Sequence, residues 1–501
     1  MPFRYSRTVL RSLAAERHRL CRVSRGNHLI HLSNVLKIMR KLPLRDESDS
    51  DSDSETETKE HDISVEILAE LAHLLESDSG HVRHLACAIF VAVSQYLSSS
   101  VTEWEAFIRT MFVALEILIV KSTENHDQLK SALRDSSSST ATCILEVLCN
   151  VFKSSKRESG NQVFFVCLSS FLRNTDNLKT IGKRNGCLSH LLRLLCSLLG
   201  QTDVCAVFVS SVAGSFPELI SCCQCCVDYY KTHKLLMIML RLSDHASVDS
   251  SSFLILLRRY FDDVLMEPLM NNENEPLEDS PFAANQIHLQ RFAVMIFLRF
   301  CFGNMRALKE DGFDQMDEWV KHQTTGFENR WDFGRNFVRL FLHEDDMVFL
   351  VLLELLNMHG FVINLEKGEG DTCPKERFMW WFEHAFNPLV LFQMFLEGLK
   401  YDHQVVVDYL ISKDCGICCA EYLLKCLRRV CDSWPAVAEL SLGEPSPPKK
   451  LKGCDPFDDT KTCLLSLKHS VEKLHQKKLF PYNPRPLLKR LEKFQSLCTL
   501  T

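Results

Sequence analysis

From Asp62 onward the chain repeats apolar positions at helical spacing. Ile63, Ile67, Leu68, Leu71, Leu74 and Leu75 fall three or four residues apart, and Asp62 or Ser64 stands where a helix N-cap belongs. The same periodicity predicts helices over 81–97, 102–120, 139–152, 161–172, 187–199, 204–212, 233–242, 252–265, 284–302, 332–342, 345–358 and 417–430. No stretch of two-residue alternation is long enough to compete. Helix pairs recur every ~35–45 residues, the spacing of HEAT and armadillo units. A lone helix pair cannot bury its apolar face, so neighbours must stack. The predicted fold is all-α: an armadillo/HEAT-like helical solenoid that ends in a C-terminal helical hairpin of 463–477 and 485–497.

Composition supports this pattern. Only 18 glycines and 16 prolines occur in 501 residues, below the usual shares of ~7% and ~5%. Sandwiches, barrels and doubly wound sheets need more corner residues than that. The punctuation gathers at 266–281, 364–375 and 441–459, which read as loops. Five segments follow: a basic arm at 1–45, an acidic tract at 46–60, a solenoid body at 61–440, a Pro/Lys-rich linker at 441–460 and the hairpin at 461–501. No uninterrupted apolar run approaches the ~18–20 residues of a membrane span. Residues 1–23 are dotted with arginine and have no apolar h-region. No membrane partner is expected, and the 22 cysteines read as reduced, mostly core thiols.

Charge divides the chain further. The net −6 conceals +10 in residues 1–45, −7 in 46–60, −16 in 61–448 and +7 from Lys449 onward. An acidic body disfavours a nucleic-acid groove along it, because phosphate neutralisation dominates that affinity; direct nucleic-acid binding is not expected. In the tract DESDSDSDSETETKE, Ser48, Ser50, Ser52 and Ser54 each precede an acid by three residues. That pattern resembles the substrates of acidophilic kinases, and each phosphate would add roughly −1.5 to −2 charges. Lys449, Lys450 and Lys452 form a basic cluster in a proline-rich loop, a setting that suits an import receptor.

Catalytic chemistry is not evident. Walker, GxGxxG, GxSxG and HExxH patterns are absent. Cysteines 222, 223, 225 and 226 crowd five helical positions and point around more than half of a cylinder, so they cannot all reach one zinc ion. Cys222, Cys225 and His233 remain candidates for a partial site, with helix-face filler as the plainer reading. Cys415 and Cys418 form a CxxC entering a helix, where the dipole would favour thiolate, but no strand precedes it. No metal, cofactor or enzymatic activity is expected.

The sharpest local sequence is KKLFPYNPRPLLKRL at 477–491. Asn483 reads as an N-cap and Pro484 as the first helical residue. Phe480 is placed to staple onto Leu487 or Leu488, and Leu487, Leu488 and Leu491 form a buried stripe. This segment resembles the C-terminal signature of the Lines family. A second block resembles the end of that family's large N-terminal domain: Phe386-Asn387-Pro388, Phe392, Phe395, Leu399, Tyr401-Asp402-His403, 408–412 and 419–428. The resemblance implies an armadillo-like, non-enzymatic regulator of developmental patterning, Wnt-type signalling and transcription that shuttles between nucleus and cytoplasm. Its implied partners are proteins: signalling or transcription components, an import receptor and an acidophilic kinase. Phe480, Pro481, Tyr482, Asn483 and Pro484 carry the family motif, either for interaction or for packing the hairpin onto the body. Two other readings use the same residues differently. A HEAT-type carrier or assembly factor would show a regular acidic stripe along its helix pairs, and none is seen. A zinc or thiol-redox protein would use 222–226 or Cys415 and Cys418.

Overall fold

The computed structural model describes residues 79–98, 101–120, 138–154, 161–223, 228–269, 281–307, 309–325, 330–366, 380–382, 385–434 and 456–500, with Ser33 and Leu75. Among them are eighteen helices and no strand. The chain divides into two compact units, one up to Asp249 and one from Ser250. The predicted helix at 62–75 lies outside the described residues except for Leu75, which is buried.

The first unit contains α1 (Gly80–Leu97), α2 (Val101–Val120), α3 (Ser138–Ser154), α4 (Asn161–Arg173), α5 (Thr175–Gly182), α6 (Asn185–Leu199), α7 (Ala206–Cys223) and α8 (Tyr229–Leu242). Helices α1, α3, α6 and α8 pack one after the next, and α2, α4 and α7 form a second such series. Phe164 on α4 shows what joins them. Its ring meets Trp104 and Phe112 of α2 and Phe152 of α3, with centroids 5.5–6.1 Å apart. Ring pairs at such distances add directional attraction to apolar burial.

Two features of this unit depart from the predicted pattern. Helix α5 falls between the predicted helices at 161–172 and 187–199; Asn174 caps it by accepting from the Asp176 N–H at 3.1 Å. Helix α7 continues past 212, through Gly214 and Pro217. Pro217 removes one N–H from the helical ladder, yet Phe208, Val209, Val212, Phe216, Leu219 and Ile220 still bury one stripe. By length and composition α7 is the one described helix able to cross a membrane. That buried stripe packs against α4 and α5, as a core helix does.

The second unit contains α9 (Ser250–Leu265), α10 (Pro281–Arg306), α11 (Glu310–Thr324), α12 (Arg330–Leu342), α13 (Asp345–Glu366), α14 (Pro388–Gly398), α15 (His403–Ile411), α16 (Gly416–Asp432), α17 (Pro456–Gln476) and α18 (Arg485–Leu500). Helices α10, α12, α14 and α17 pack in series, as do α10, α13, α16 and α18. Helix α11 escaped the periodicity because acids and lysine dilute its stripe of Phe313, Met316, Trp319 and Val320. Trp319 is fully buried, faces Phe297, Phe333 and Phe386, and donates through Nε1 to the Leu265 carbonyl at 3.1 Å. Gln323, also buried, donates to the Glu267 carbonyl at 3.1 Å and accepts from the Leu269 N–H at 3.0 Å. These bonds satisfy the backbone that leaves α9, which would otherwise carry a burial penalty. Helix α13 runs to Glu366, into the predicted loop at 364–375, and α17 starts at Pro456, inside the predicted linker.

A half-buried polar contact joins α13 to α16. The Arg429 guanidinium donates to His359 Nδ1, and the His359 ring stands edge-on to Phe382, 5.0 Å away. Burial, then the Arg429 charge, pushes the His359 imidazole down to about 4 from its ordinary 6.5. The folded protein therefore refuses a proton that the unfolded chain accepts. The stability contributed by neutral His359 is complete above pH 6.5 and is lost as pH falls toward 4. The melting temperature should fall across that window, and His359→Asn should flatten part of the slope. An identical pH profile for the variant would show that His359 does not contribute.

Candidate functional site

The motif 480–484 lies in the turn between α17 and α18, and both ends of that turn are locally determined. Lys478 closes α17 in the left-handed region at φ 56°. Its N–H reaches the His475 carbonyl at 3.0 Å, and the Leu479 N–H reaches the Leu474 carbonyl at 2.9 Å. This is the Schellman arrangement, which usually places glycine where Lys478 stands. At the other end, Asn483 Oδ1 accepts from the Arg485 N–H at 3.2 Å, the cap that the sequence predicts. Pro484 immediately precedes the helix and is buried, while Pro481 and Asn483 are exposed.

Between these ends Tyr482 turns inward. Its hydroxyl lies 2.9 Å from the Leu410 carbonyl and 3.0 Å from the Gly416 carbonyl. Leu410 belongs to the last turn of α15 and Gly416 opens α16. One phenol thus bridges both sides of the connection between these helices, sharing its proton between two acceptors. Burial pushes the phenol up from its ordinary value, with Cys419 and Cys415 adding to the effect, so it stays a neutral donor. Gly416 makes the geometry possible: a Cβ there would meet the Leu410 oxygen at 2.7 Å. Phe480 packs edge-on against the Tyr482 ring, with centroids 4.9 Å apart. This contact with Tyr482 is additional to the staple onto Leu487 or Leu488 that the sequence suggests.

Beyond the turn, α18 lies on α16. Trp434 stands edge-on to Phe494 at 5.6 Å, and Lys493 pairs with Asp432 at 3.2 Å. Leu487, Leu488, Leu491 and Phe494 are buried, confirming the predicted stripe and adding Phe494 to it. Four of the five motif residues thus have a direct account: Tyr482 clamps, Phe480 supports it, Asn483 caps and Pro484 packs at the helix start.

The other candidates fall elsewhere. Cys222 donates to the Leu178 carbonyl at 3.4 Å where α7 crosses α5 beside Gly182, whose Cβ would meet the Cys222 sulfur at 2.6 Å. The His233 ring stacks on Tyr229 at 6.0 Å, and Cys225 lies outside the described residues. Among the described residues, no three His, Cys, Asp or Glu side chains are grouped to hold a metal ion. In the CxxC segment, Cys415 is buried with its sulfur 3.7 Å from the Tyr409 carbonyl. Burial and the Glu421 charge push the Cys418 thiol up, and burial pushes Cys419 well up. The Cys418 shift opposes the thiolate a redox pair requires. Ser48, Ser50, Ser52, Ser54, Lys449, Lys450 and Lys452 lie outside the described residues.

An all-helical protein whose last hairpin packs on its body through an apolar stripe and a tyrosine clamp is the class defined so far. Family profiles described as Lines N-terminus and Lines C-terminus match residues 302–440 and 460–496. The chain belongs to the Lines family. Both matches fall within the second compact unit, and the first begins well before the block at 386 that carried the resemblance. A comparison with curated proteins finds no match.

Tyr482→Phe keeps the ring and removes the proton shared by two carbonyls. It should cost about 1–2 kcal/mol of stability and speed amide exchange across 411–416 and 485–490. Unchanged exchange in those segments would show that the hydroxyl does not hold the hairpin.

Proposed function

We propose that this Lines protein is a non-enzymatic adaptor that acts through protein–protein contacts in developmental, Wnt-type signalling and transcriptional control. The observation that carries the proposal is the use made of the one recognisable motif. Tyr482 and its neighbours fix a helical hairpin onto α15 and α16, so the motif joins the two matched segments into one surface. The role in signalling follows from the family resemblance. The serial packing of α1, α3, α6 and α8 beside α2, α4 and α7 supports an armadillo-like solenoid as the scaffold. On this proposal the protein moves between cytoplasm and nucleus. An import receptor binds the lysines at 449–452, and an acidophilic kinase tunes contacts through Ser48, Ser50, Ser52 and Ser54.

Two measurements test this. Proximity labelling in cells should lose a defined set of signalling or transcription proteins when residues 449–501 are removed. Labelling that does not depend on that segment would overturn the adaptor reading argued from it. Lys449→Ala, Lys450→Ala and Lys452→Ala together should shift a tagged protein toward the cytoplasm, and unchanged imaging would remove the import role.

A further inference from the structure

Where α16 meets α18, an open groove of about 450 Å³ is lined by Leu424, Lys425, Arg428, Pro486, Lys489 and Arg490. One wall comes from the Lines N-terminus match and the other from the Lines C-terminus match. Helices α16 and α18 together carry seven basic residues and three acids, within a chain whose 61–448 segment is −16. The acids offset the four groove cations, Lys425, Arg428, Lys489 and Arg490, only in part. Glu421 pairs with Lys425 at 2.7 Å, and Asp432 is divided between Arg428 at 3.8 Å and Lys493 at 3.2 Å. Arg428 and Lys489 are exposed, and the apolar residues of the lining are half-buried Leu424 and exposed Pro486.

We propose that this groove receives an acidic peptide segment of a partner protein, with one apolar side chain seated on Leu424 and Pro486 between flanking carboxylates. This deepens, and rests on, the adaptor reading above. Charge complementarity selects an anion, and the shape of the groove narrows the class. A single nucleic-acid strand needs aromatic faces on which its bases can stack, and no aromatic side chain lines the groove. The chain's own tract at 46–60 is acidic but contains no apolar residue, so it has nothing to place on Leu424 and Pro486. A partner segment with acids around a leucine or phenylalanine satisfies both features. Arginine and lysine at the rim set orientation and association rate, and the anchor sets residence.

Fluorescence polarisation with the full chain tests this. The probes are a labelled twelve-residue Asp/Glu peptide with a central leucine, the same peptide with serine at that position, a peptide of residues 46–60 and a twelve-nucleotide single strand of DNA. The leucine peptide should bind in a salt-sensitive manner and at least fivefold more tightly than the serine peptide. Arg428→Glu with Lys489→Glu should weaken it at least tenfold. Arg428→Gln with Lys489→Gln should weaken it by less and leave the melting temperature unchanged. Unchanged binding in both double variants overturns the proposal. Equal or tighter binding of 46–60 assigns the groove to the chain's own tract, and equal or tighter binding of the DNA assigns it to nucleic acid; either result also overturns it. In cells, a labelled set lost on removal of 449–501 but kept by the double variants defeats the groove and leaves the adaptor reading standing. A set unaffected by either change defeats the adaptor reading itself.

Discussion

One shared proton ties the last hairpin of this protein to the two helices it docks against. The Tyr482 hydroxyl lies within hydrogen-bonding distance of two carbonyls on either side of the α15–α16 connection. It does so because Gly416 has no Cβ to push the Leu410 carbonyl aside. A larger residue at 416, or an ionised phenol, would undo the arrangement, and burial opposes ionisation. The position of α18 on α16, and hence the groove between them, follows from this contact together with the Leu487–Leu491 stripe.

The same unit handles its other polar burdens economically. Trp319 and Gln323 on α11 fill the core and also take up the backbone groups where α9 ends. Arg429 is held against a neutral imidazole, which spares a second charge at this half-buried contact. Unpaired, such groups would each cost on the order of 1–3 kcal/mol, a sizeable part of a domain's stability. They therefore fix which helix packs where, while the aromatic clusters supply the burial.

Much of this was legible in the residues. The long amphipathic helices and the Asn483 cap follow from spacing and side-chain chemistry. What was missed has a physical pattern. Helix α11 hides its stripe under acids, α5 is too short to show a period, and α7 runs through Gly214 and Pro217 because tertiary packing outweighs local preference. Within the site, the edge-on contact of Phe480 with Tyr482 is one that the staple pattern does not foretell. The tyrosine clamp joins positions about seventy residues apart, and no local rule couples them. Gly416 offered one hint: a glycine opening a helix often marks a close approach of backbone, but the sequence does not say to what.

The lysine at the left-handed end of α17 has a twin. Lys400 closes α14 at φ 55°, with the same pair of backbone bonds from Lys400 and Tyr401 to Glu397 and Leu396. Glycine would adopt either position at lower conformational cost in the folded chain, but it would also enlarge the unfolded ensemble at both turns. Both lysines therefore hold a left-handed backbone that their Cβ atoms disfavour, so it is the docked helices on either side, rather than the corner residues, that keep the α14–α15 and α17–α18 corners in this geometry.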